Sequence, residues 1–172
     1  MSITTLNTKT KKLSISAALT SLALIFSYIE FLIPFSFGNT GIKLGLANVV
    51  IVVALYTIGE SYAFSINILR VLLSGALFGN VFAIAYSLAG AVFSFFCMLA
   101  LKKTGWFSIT GVSMAGGVAH NLGQIIAASL LIESLKIFYY FPVLVFSGMI
   151  TGILIGIIAY FICKRINQWK RF

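Results

Sequence analysis

Apolar residues run along this chain in long blocks, too continuous for the alternation of a half-buried strand and too wide for the single stripe of a soluble amphipathic helix. Gly, Pro and charged residues interrupt the blocks and place helices near 13–34, 42–58, 61–78, 81–101, 107–132 and 141–163. The first ends at Pro34 and the Phe37-Gly38-Asn39-Thr40-Gly41 stretch, and the second at Gly59-Glu60. The third ends at Gly79-Asn80, where the chain must turn almost at once. Pro142 falls near the start of the sixth, where a missing N–H costs little. A bilayer core of ~30 Å takes roughly 20 apolar residues per helix. The 172 residues therefore hold about six spans with very short loops. The fold predicted is all-α, a polytopic membrane protein of six transmembrane helices over 13–163, with basic segments at 1–12 and 164–172 and no second, soluble domain.

Composition agrees: 60% of residues are hydrophobic, 9% are charged, and the mean hydropathy is +1.09, which leaves almost no material for a water-facing surface. The first apolar run, from behind Lys9, Lys11 and Lys12 to Phe35, is too long for a cleavable signal segment and is read as a span. With six spans, Lys9, Lys11, Lys12, Lys102, Lys103, Lys164, Arg165, Lys170 and Arg171 share one side, nine basic residues against Lys43 and Lys136 on the other. Basic residues flanking spans stay in the cytoplasm, so both termini are expected there. The net charge of +9 is explained by this bias and by anionic lipid, not by nucleic acid. Cys97 and Cys163 have no CxxC spacing and lie in apolar stretches, so packing is expected of them and not a metal or a disulfide.

Small residues recur at every fourth position, as Gly148, Gly152 and Gly156 on the sixth helix and Gly111, Ala115, Ala119, Gly123 and Ala127 on the fifth. Such faces let helix backbones approach closely in lipid; packing inside the bundle is the first reading and an oligomer interface the second. On the first helix, Ser14 with Ala18 and Ala17 with Ser21 form two similar ridges that can dock a partner.

The only acids are Glu30, Glu60 and Glu133, and the chain has no Asp. Magnesium-diphosphate chemistry relies on carboxylate clusters, so an enzyme of that type is excluded and no metal or cofactor is expected. Arg70 lies about halfway along the third helix, where a cation costs at least ~2.5 kcal/mol and must find partners inside. Asn67 and Ser74 share its face. Two readings stand: an Arg satisfied by carbonyls and one glutamate, or an Arg facing a ligand. His120, Asn121 and Gln124 gather on the fifth helix, beside its small-residue face. They are either interhelical hydrogen-bond groups or part of a site. Glu30, Lys43 and Asn48 add polar groups in the outer half, with Glu30 and Lys43 also readable as an interfacial ion pair. If these residues converge, the pocket favours an anion, a carboxylate or phosphate head on an apolar or aromatic body, with Tyr139 and Tyr140 near its mouth. Glu60 and Glu133 read as solvated loop ends.

Several stretches then read together: Gly41-Ile42-Lys43-Leu44-Gly45-Leu46-Ala47-Asn48, Leu69-Arg70-Val71-Leu72-Leu73-Ser74-Gly75, Leu77-Phe78-Gly79-Asn80, Ser87-Leu88-Ala89-Gly90, and Gly111-Val112-Ser113 through Ala119-His120-Asn121-Leu122-Gly123-Gln124. From about Leu13 to Arg165 the chain resembles the Gx transporter family, which also carries the description heptaprenyl diphosphate synthase component I. That family resembles the substrate-binding, or S, components of energy-coupling factor transporters, six-helix proteins that bind a vitamin-like solute outside and topple within a complex. The resemblance implies a solute-binding subunit served by a transmembrane coupling subunit and two cytoplasmic ATPases from other chains, since no GxxxxGK[ST] loop occurs here. It also implies docking of the coupling subunit through the first helix, where Ala17 with Ser21 is a near match to the Ala-x-x-x-Ala pattern of many S components. The synthase description implies a second class, a non-catalytic membrane component of a prenyl synthase in isoprenoid or quinone biosynthesis. A third, a channel or proton-coupled carrier using Glu30 and His120, lacks a detectable inverted repeat.

Overall fold

A computed structural model describes residues 3–32 and 45–169. Six α-helices follow one another: α1 Ile3–Leu32, α2 Leu46–Thr57, α3 Glu60–Phe78, α4 Val81–Thr104, α5 Ile109–Ile132 and α6 Phe141–Trp169, with a short 3-10 helix, Leu135–Tyr140, before α6. No strand occurs among the described residues. α2, α3, α4, α5 and α6 close a ring in which each packs on the next and α6 returns to α2; α1 lies outside it against α2 and α3.

The segments holding α1, α3, α4, α5 and α6 are long and apolar enough to cross a membrane, and α2 is shorter. Large apolar side chains cover the outside, among them Ile25, Leu77, Phe96, Phe146, Leu154 and Phe161. In water such a surface would aggregate; in a bilayer it is the solvated one. Trp106 and Tyr139 stand out at helix ends, suited to a membrane–water boundary. The chain is thus a polytopic helical membrane protein.

α2 departs from the expected 42–58. Its 12 residues rise only about 18 Å, and Gly45, at φ 74°, marks its start. An unbroken apolar run predicts a full span, and the left-handed glycine stops it short. The helix compensates by being enclosed: Ala47 and every residue from Val49 to Leu55 are buried, as expected of a helix apolar on all sides. α1 and α6 run longer than expected, to include Lys9, Lys11 and Lys12 at one end and Lys164 and Arg165 at the other. The short turns are capped from side chains: Asn80 Oδ1 accepts from Ala83 N at 2.8 Å, and Ser108 Oγ from Gly111 N at 3.1 Å.

At one end of the bundle, Lys102 Nζ donates to Leu55 O at 3.0 Å and lies 3.6 Å from the Glu60 carboxylate, which Lys103 approaches to 3.7 Å. Lys12 sits over the Tyr62 ring at 5.7 Å. Glu60, a partly solvated residue at the start of α3 as expected, also ties that start to the end of α4.

The α6 glycines pack inside the bundle, the first of the two readings of their spacing. A Cβ on Gly117 would lie 2.3 Å from Gly148 O, and one on Gly152 2.7 Å from Met114 Cα. α5 turns a different face to α4, where a Cβ on Gly123 would lie 2.7 Å from Ala89 O. The two close contacts of α5 thus use two faces, and Gly117 lies outside the fourfold-spaced pattern.

Candidate functional site

Arg70 is the polar node of the bundle, only 9% exposed at mid-α3. Its Nη2 donates to Asn48 Oδ1 at 2.9 Å and to Asn67 Oδ1 at 3.1 Å. Asn67, 2% exposed, donates in turn from Nδ2 to Ala91 O on α4 at 3.1 Å. One guanidinium thus links α2 and α3, and through Asn67 α4. Arg70 Nε is buried and has no hydrogen-bond acceptor among the described residues. Ser74 shares the face of Arg70 but turns to its own helix, donating to Val71 O at 3.2 Å.

Glu30 does not need a cationic partner to explain its place. Its Oε1 accepts the Leu46 N–H at 2.9 Å, so α1 caps the first turn of α2 and sets a negative charge at the positive end of that helix. No carboxylate among the described residues lies within ion-pair distance of the Arg70 guanidinium. Lys43 lies outside the described residues.

Asn48 also forms one wall of an enclosed cavity of about 50 Å³, completed by Gly45, Ser94, Ser113, Gly116, Gly117, His120, Asn121, Thr151, Gly152 and Ile155. Four helices, α2, α4, α5 and α6, contribute, and none of the lining side chains is acidic. Asn121 is anchored by donating from Nδ2 to Leu144 O at 2.6 Å. Gln124 is buried just beyond the wall, beside His120. Gly90 makes the room: a Cβ there would lie 2.7 Å from Gln124 Cγ and 3.0 Å from His120 Nε2. Gly90→Val is therefore expected to destabilise the bundle by ~1–3 kcal/mol through overpacking, with Gly90→Ala in between, as read by thermal unfolding in micelles.

The structure thus links Arg70, Asn67 and Asn48 through hydrogen bonds, sets Glu30 on the Leu46 N–H two residues before Asn48, and places His120 and Asn121 across a shared cavity from Asn48. Tyr139 and Tyr140 are exposed on the 3-10 helix and are not among the cavity's walls, which corrects their expected place at its mouth. Ser94 and Thr151 are not singled out by the sequence, since single hydroxyls on apolar helices are common and carry no spacing signal, and Ser113 is visible only as part of the Gly111-Val112-Ser113 stretch. Gly90 was visible only as part of the Ser87-Leu88-Ala89-Gly90 stretch. Among the described residues no group of three or more His, Cys, Asp or Glu can hold a metal.

The fold and cavity define a helical membrane protein with a polar cluster inside an otherwise apolar bundle. The family profile described as heptaprenyl diphosphate synthase component I matches residues 19–162, and the chain belongs to that family. No curated protein and no solved structure matches it.

Proposed function

We propose that the chain is the substrate-binding membrane subunit of a small-solute uptake transporter. The observation that carries this is the cavity on which Asn48, His120 and Asn121 converge from two helices, with Arg70 held against Asn48. Polar groups are costly in a bilayer, and hydrogen-bond glue alone does not require an unfilled, non-acidic space between them. The space holds a few water-sized atoms, so it suits the polar head of a solute, and an organic body requires the helices around it to part. In this reading the site is formed by Arg70, His120, Asn121, Gln124, Asn48, Asn67 and Glu30; Lys43, also expected of it, lies outside the described residues. The gathering of basic residues at one end of the bundle supports both termini facing the cytoplasm of a bacterial cell.

Partners would be a coupling subunit and ATPases of other chains. The docking face is on α1, where Ala17 and Ser21 are exposed on the helix that stands outside the ring. The second reading, a non-catalytic membrane component of heptaprenyl diphosphate synthase, is favoured by the family description. Affinity purification from native membranes separates the two. Co-purifying ATPases, lost on Ala17→Trp with Ser21→Trp, are the expected result; a prenyl synthase subunit in their place, retained by that variant, overturns it.

A further inference from the structure

The chemical class of the solute can be read from the charges around the start of α2, an inference that rests on the solute-binding reading. Arg70 is nine-tenths buried, yet its acceptors in the bundle are two neutral amide oxygens, and its Nε has none among the described residues. A buried cation without a contacting carboxylate calls for an anion. The guanidinium reaches the first turn of α2 through Asn48, and there the Leu46 N–H lies at the positive end of the helix. That position already takes a carboxylate oxygen, the Glu30 Oε1.

Asn48 extends the donor set. Its Oδ1 is committed to Arg70, so its Nδ2 is the end left to donate; a Cβ on Gly45 would lie 3.1 Å from that nitrogen, in the wall of the cavity. His120 and the hydroxyls of Ser94, Ser113 and Thr151 border the same space. Hydroxyls and imidazole suit either sign of ligand, but the fixed groups do not: a guanidinium, an amide N–H₂ and a helix start all favour negative charge.

We propose that the site takes an anionic head group, a carboxylate or phosphate, between Arg70, Asn48 and the first turn of α2, and that Glu30, which holds the Leu46 N–H there, is the resident carboxylate an incoming anion must compete with. Glu30 lowers the affinity of the site for an incoming anion. Glu30→Gln retains an oxygen for the Leu46 N–H and removes the charge, so it raises anion affinity.

The test uses the full chain in neutral detergent micelles and reads the unfolding midpoint against increasing benzoate, inorganic phosphate, benzamide and benzylamine, with a separate arm of added phosphatidylglycerol. Benzoate or phosphate is expected to raise the midpoint while benzamide and benzylamine do not. Arg70→Gln should weaken the effect by about 10- to 100-fold, the range of a charge-assisted hydrogen bond. Glu30→Gln should strengthen it roughly tenfold, the scale of one neighbouring like charge; because this is a gain, it keeps the test decisive should Arg70→Gln fail to fold. Stabilisation by benzamide or benzylamine that survives Arg70→Gln overturns the anion assignment and leaves solute binding standing. Unchanged or weaker anion binding in Glu30→Gln overturns the competition, and stabilisation by phosphatidylglycerol alone overturns a free solute as the source of the anion. No response to any probe, with no co-purifying small molecule, removes both readings.

Discussion

Gly117→Leu is expected to prevent recovery of a monodisperse protein from the membrane, while Leu at Gly111, earlier on the same helix, is tolerated. The difference follows from what each position meets. At Gly117 even a methyl group would lie 2.3 Å from the Gly148 carbonyl oxygen and 3.3 Å from Gly152 Cα, and the obstacle is backbone on a helix that cannot give locally. At Gly111 the nearest atom is 3.6 Å away, ordinary contact. In lipid, helix association depends on close van der Waals packing, so prising α5 from α6 removes the contact that holds the ring closed and two walls of the cavity with it. Gly117→Ala should already cost ~1–3 kcal/mol. Size-exclusion profiles and thermal unfolding of the purified variants check both statements.

The second large effect concerns order of removal. Asn48→Leu is expected to destabilise the bundle by ~1–3 kcal/mol, because it takes away one of the two amide acceptors of a buried guanidinium and leaves the charge in place. Adding Arg70→Leu to that variant should restore much of the loss, since an apolar side chain at mid-α3 needs no partner. A double-mutant cycle by denaturant unfolding in micelles gives the sign directly. If the double variant is less stable than Asn48→Leu by the full cost of Arg70→Leu alone, the guanidinium and Asn48 do not act as a unit.

The transmembrane class and the helix count were legible because a bilayer imposes one simple rule, long apolar segments with their backbone satisfied internally, and the blocks obey it. The pairing of Arg70 with Asn67 was legible as well, since both lie on one helix three residues apart. Contacts between helices were not: nothing in the sequence shows that Asn48 of α2 meets Arg70 of α3, or that Glu30 reaches Leu46 N and not a lysine. The truncated α2 was hidden for a different reason. Gly45 stands in an apolar run, and only its left-handed backbone shows that the helix begins there. Ser74 shows the limit of face-sharing arguments, because a hydroxyl can always be satisfied by the carbonyls of its own helix. The resemblance to the family rested on glycines and amides that the structure places at close contacts and cavity walls, notably Gly45, Asn48, Gly90, His120 and Asn121.

On the proposed reading these residues hold a small molecule. Native mass spectrometry of the full chain, purified in detergent after growth in rich medium, tests it even though the solute is unidentified. A small molecule bound to the wild type and absent from Arg70→Ala and His120→Ala is the predicted result. A wild type free of any bound small molecule, purified with a prenyl synthase subunit attached, would contradict the account and assign the chain to the synthase.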